Sequence, residues 1–182
     1  YIKLENLKLK DMQMEIIVDA SQQGEGKSTI MGYIFGLAPK EAKIDENGQP
    51  YKEFYVIDFA SKNDERKFSS YSAELKSIRI ILLNAITMCN ELCYIFDQMF
   101  DMNISSDSLS SIKRIINPLL PSINDAEVLG ELEYLRKQYL RGDYKVSFVT
   151  DPYNVSDLLT KTCKSGDKLN LLVSLMCGKW IL

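Results

Sequence analysis

The stretch IIVDASQQGEGKSTIM, Ile16 to Met31, decides how the chain is read. It closes on Gly26-Lys27-Ser28-Thr29, the end of a phosphate-binding loop of the form G-x-x-x-x-G-K-[ST], with Ser21 standing at the first glycine position. On its N-terminal side, Glu15 to Ala20 is a short apolar run rich in β-branched residues, which predicts a buried strand. On its C-terminal side, Ile30, Tyr33, Ile34 and Leu37 in STIMGYIFGLA recur at helical spacing and predict a helix limited by Pro39. Strand, glycine loop and helix come in the order that a P-loop requires.

Such a loop works by pointing successive backbone N–H groups at phosphate oxygens. Gly24 and Gly26 supply the flexible positions, and Ser21 is small enough to serve at the loop's start. The expected nucleotide-binding set is therefore Ser21, Gly24, Glu25, Gly26, Lys27, Ser28 and Thr29. Lys27 would meet the β and γ phosphates, Ser28 would hold Mg²⁺, and Thr29 would sit at a helix N-terminus near the α-phosphate. A second apolar run, FYVIDF, ends near Asp58, which makes Asp58 the expected second metal ligand and, with Lys27, a catalytic residue. Asp151, after VSFVT, is its rival. The bland reading is a solvated turn that contains GEGKST, with Asp58 a capping residue. Neither aspartate is followed by Glu, so the usual metal-and-base pair is missing.

Composition sets the outer bounds. The chain has 182 residues, 46% of them hydrophobic and 26% charged, the make-up of one globular domain with a sizeable core, and two apolar strands joined by a helix point to an α/β fold with a parallel sheet. Its net charge of −3 gives no overall electrostatic footprint for nucleic acid, although Lys62, Arg66 and Lys67 form a small basic cluster. With no histidine anywhere, Ser-His and Cys-His catalysis and imidazole zinc sites are excluded. Cys89, Cys93, Cys163 and Cys177 include no C-x-x-C pair and read as buried reduced thiols. No uninterrupted apolar run of membrane-spanning length is present, and the expected setting is cytoplasmic. Residues 72–142 read as a mostly helical insertion in a single P-loop domain, and Lys145 to Asp151 as a further strand.

With the elements placed, the chain resembles the FtsK-HerA group of P-loop ATPases, and among them the conjugative type IV secretion motors. The resemblance rests on DASQQGEGKSTIM, FYVIDFASKNDERKFSSY and INDAEVLGELEYLRKQYLRGDYKVSF. It implies a RecA-like parallel sheet, Mg-ATP hydrolysis, and homo-oligomers, typically hexamers, that move DNA or secreted protein at the cytoplasmic face of a membrane complex. The later acidic strand of the family is not found, so either the chain is the front portion of a larger ATPase and stops before it, or that strand is lost. QGEGKST followed by VID is similar as well to ParA-like ATPases and bacterial tyrosine kinases. A nucleotide-binding assembly module without turnover is the non-enzyme alternative.

Overall fold

The computed structural model describes residues 9–22, 28–64, 69–117, 126–150, 153–161 and 166–181. After a 3-10 turn at Leu9–Asp11, the chain runs through β1 (Met12–Gln22), β2 (Thr29–Pro39), the short strands β3 (Lys43–Ile44) and β4 (Pro50–Glu53), and β5 (Tyr55–Asp64). Next come α1 (Ser70–Phe96), β6 (Met102–Ser106), α2 (Leu109–Ile116), α3 (Ala126–Leu140), β7 (Lys145–Phe148), α4 (Asp157–Thr160), α5 (Gly166–Met176) and β8 (Lys179–Ile181). The main sheet has the order β5-β2-β1-β6-β7, and a small one the order β3-β4-β8.

The fold turns on β2. The segment expected to be the P-loop helix is a strand, antiparallel to β1 along its whole length from Met12↔Pro39 to Gln22↔Thr29. Its other edge pairs antiparallel with β5. Thr29, Ile30, Tyr33, Ile34 and Phe35 are β-branched or aromatic and suit a pleated surface better than a helix. Gly32 and Gly36 lie on one face of it because that face is crowded. A Cβ on Gly32 would come within 2.8 Å of Leu159 and Thr160 side-chain atoms, and one on Gly36 within 2.5 Å of the Phe54 ring.

The sheet is thus mixed, with parallel pairing confined to β1/β6 and β6/β7. This corrects the expectation of a RecA-like parallel sheet while keeping the α/β class. Residues 72–142 are not helical throughout, since they contribute β6 beside β1 at the middle of the sheet.

Alternate residues of β1 build two cores. Met12, Met14, Ile16 and Val18 pack with Leu75, Ile78 and Leu82 of α1 and with Val128, Leu132 and Leu135 of α3. Ile17 faces the other side, against Ile34, Phe54, Val155, Leu175 and Trp180. The Tyr71–Phe96 stretch is long and apolar enough, by length and composition, to cross a membrane. A search for uninterrupted apolar runs passes over it because Glu74, Lys76, Arg79 and Glu91 intervene. Its inner face is a core face here: Leu75, Ile78, Leu82 and Ala85 are almost fully buried against the sheet.

Candidate metal centre

The two parallel neighbours β1 and β6 are in register from Met14↔Met102 to Val18↔Ser106. The next residue of each chain segment is an aspartate, so the pairing sets two carboxylates side by side, Asp19 within β1 and Asp107 just past the end of β6. A third comes from α1. Ser69 caps that helix, its side chain accepting from the Ser72 N–H at 3.1 Å, and the first turns of the helix carry Glu74 over β1. Asp19, Glu74 and Asp107 each offer an oxygen, and these oxygens all lie within 4.8 Å of one another.

Three acids so close repel one another unless something positive or a proton intervenes. Burial, then the charges of Asp19 and Asp107, push the Glu74 carboxyl up to about 9, with Lys161 and the Ala20 N–H pulling the other way. Glu74 Oε2 is buried and has no hydrogen-bond partner among the described residues. An orphaned, buried carboxylate oxygen beside two further carboxylates is the donor set that a hard divalent cation takes.

Asp19 is 1% exposed and is held from the far side of the sheet. The Thr160 hydroxyl donates to its Oδ2, and Lys161 Nζ lies 3.6 Å from its Oδ1 and 2.7 Å from Asp157 Oδ1. These groups reach the site because α4 is seated tightly on β1 and β2. The buried Asn154 amide donates to the Val18 carbonyl at 3.3 Å, and Gly32 leaves room for the helix.

A second buried polar group lies lower on the same face. Glu15 accepts from Lys52 at 2.8 Å, Gln13 at 2.6 Å and Asn103 at 2.7 Å, and Asn103 also donates to Ser147 at 2.6 Å. Its charges are paired and its carboxylate is satisfied, so it reads as a tie between β1, β4 and β6.

The residues expected to form the nucleotide site are distributed differently. Gly24, Glu25, Gly26 and Lys27 lie outside the described residues. Ser21 lies in β1 paired with Ile30, Ser28 precedes β2, and Thr29 is paired with Gln22 in a strand instead of opening a helix. Asp58 pairs with Phe35 while Asp64 pairs with Thr29, which puts Asp58 six residues, roughly 20 Å, along the sheet from Thr29, the neighbour of Ser28. Asp58 instead accepts from the Tyr33 hydroxyl at 2.7 Å; burial first, and Asp58 second, push that hydroxyl up to about 12. Asp151, Arg66 and Lys67 lie outside the described residues, and Lys62 is exposed on β5. Of the cysteines, Cys163 lies outside the described residues, Cys89 and Cys93 are half-buried and 4.0 Å apart, and Cys177 is exposed, against the expectation of burial.

The acidic trio was not expected from the sequence. The available signal was an aspartate inside an apolar strand, IIVDA, and a second after another strand, NISSD.

No family model and no curated protein matches the chain. Solved structures do match. An RNase H1 isolated from compost by a metagenomic approach aligns with a TM-score of 0.58 at 12% identity, covering 81% of this chain and 92% of that one. The RNase H1 of the halophilic archaeon Halobacterium salinarum aligns with a TM-score of 0.52 at 16% identity, over 81% and 94% of the two chains. The compost enzyme in complex with an RNA/DNA hybrid gives 0.53 at 13% identity, over 81% and 94%. The chain therefore has a ribonuclease H-like fold. The resemblance to FtsK-HerA secretion motors is overturned, because these neighbours are all RNase H1 and β2, antiparallel to β1, stands where the P-loop helix was expected. With it go the ATP-driven motor, the ParA-like and tyrosine-kinase readings, the nucleotide-binding assembly module, ATP as cofactor, and the hexamer and secretion complex as partners.

Proposed function

We propose that the chain is a metal-dependent nuclease that hydrolyses phosphodiester bonds in nucleic acid, with the RNA strand of an RNA/DNA hybrid as its substrate. The observation that carries this reading is the convergence of Asp19 of β1, Asp107 just past β6 and Glu74 from the first turns of α1, in a fold shared with RNase H1.

Three carboxylate oxygens suit a hard divalent cation such as Mg²⁺ or Mn²⁺, which when bound would supply Lewis-acid neutralisation of charge on the reacting phosphate. The chain's own residues do the rest. Asp19, fixed by the Thr160 hydroxyl, and Asp107, fixed by strand register, hold their carboxylates in place before any ligand arrives. Glu74 carries a proton in the metal-free centre and gives it up when positive charge enters. Because the chain has no histidine, proton transfer at the scissile bond falls to carboxylates and water.

The test is cleavage of a labelled RNA/DNA hybrid, with single-stranded RNA, duplex DNA and duplex RNA beside it, in Mg²⁺ or Mn²⁺. Metal-dependent cutting of the hybrid's RNA strand, reduced by about a hundredfold or more in Asp107→Asn, is the expected result. A wild-type chain that cuts none of the four substrates in either metal contradicts the proposal.

A further inference from the structure

Resting on the metal-centre reading above, we infer that Lys161 is a tethered cation that occupies the Asp19–Asp157 side of the acidic centre and competes there with divalent metal. Asp19 and Asp157 are almost completely buried, with side chains 1% and 2% exposed, while the Lys161 side chain that reaches both is 44% exposed. Two buried carboxylates that share one neighbourhood need a counter-charge. Lys161 supplies it, at 2.7 Å from Asp157 and 3.6 Å from Asp19.

The placement is built into the chain. Asp157 opens α4 and Lys161 comes four residues later, so one helical turn aims the ammonium at the carboxylate. Asn154 and Gly32 fix that turn against β1 and β2. Asp19 is consequently shared between the Lys161 ammonium and the neighbouring carboxylates of Glu74 and Asp107. A divalent cation drawing on Asp19 meets the repulsion of a charge about 4 Å from that carboxylate, and it binds more weakly than the three acids alone would allow. Since much of the lysine stem is in solvent, the ammonium has somewhere to go when metal displaces it.

Mn²⁺ titration followed by electron paramagnetic resonance, with thermal melting in EDTA and in excess Mn²⁺, tests this without any turnover. The proteins are the wild type, Lys161→Met, Lys161→Arg and Asp107→Asn. Lys161→Met should bind Mn²⁺ about tenfold or more tightly than wild type, melt below it in EDTA, and match or exceed it in excess Mn²⁺. Lys161→Arg, which keeps the charge, should stay near wild type. A residue of merely structural importance would lower the melting temperature in both buffers and leave affinity unchanged. Equal or weaker binding by Lys161→Met overturns the inference and leaves the trio intact, as does a Lys161→Met chain that remains unfolded even in Mn²⁺. Failure of the underlying reading has a different signature: wild type and Asp107→Asn would be equally indifferent to Mn²⁺.

Discussion

Asp19, Glu74 and Asp107 present the problem of the site at the level of single side chains. Each is tolerable alone, and together they require either a proton or a metal. Glu74 supplies the proton in the metal-free chain, and linkage fixes the sign of the pH dependence. Its folded pKa is raised to about 9 from an ordinary value of 4.5, so between those values the folded state holds a proton that the unfolded state has released. The stability that Glu74 contributes is greatest below pH 4.5 and is lost as pH rises toward 9. Glu74→Gln keeps the shape and cannot ionise. In EDTA, the melting temperature of Glu74→Gln minus that of wild type should therefore grow from about pH 5 to about pH 9. A constant difference across that range would mean that the carboxyl is already ionised in the metal-free protein.

Strands and helices explain both the helical expectation for β2 and the site itself. In TIMGYIFGLAP the apolar residues fit a helical period because β2 lies between two other strands and is buried on both faces, which erases the alternation that marks a half-exposed strand. Gly32 and Gly36, four residues apart, also suit a helical reading, yet each is required by a strand contact. The other expected strands were legible: Glu15 to Ala20 lies in β1, Phe54 to Phe59 overlaps β5, and Lys145 to Asp151 contains β7. Helices α1, α2 and α3 fall almost wholly within the stretch 72–142 that reads as mostly helical, although β6 lies there as well. What no local pattern reveals is the β1/β6 pairing across more than eighty residues, and the site is made by that pairing. The two glycines give a test that separates stability from function. Gly32→Ala drives a Cβ into α4, should cost about 1–3 kcal/mol in urea unfolding, and should also alter Mn²⁺ affinity by shifting Thr160 and Lys161. Gly36→Ala, which meets Phe54 and the Tyr55 carbonyl, should lose stability with Mn²⁺ affinity unchanged. If both variants shift affinity alike, α4 is not what shapes the centre.

At the scale of the whole molecule, a net charge of −3 sits beside a proposed nucleic-acid substrate. The acidic centre itself accounts for part of that balance, and bound metal inverts its sign locally. Substrate attraction then depends on the metal as well as on basic residues, and binding should weaken steeply with salt. The same scale separates the two candidate metal positions in space. A P-loop enzyme would gather its metal at Ser28 and Asp58, residues roughly 20 Å apart along this sheet, whereas the proposed nuclease would gather it at the carboxylates between β1, β6 and α1. The most direct measurement is an anomalous difference map from a crystal of the chain soaked in Mn²⁺. A peak bounded by Asp19, Glu74 and Asp107 is the predicted result; an empty centre, or manganese bound at Ser28 or Asp58, would contradict it.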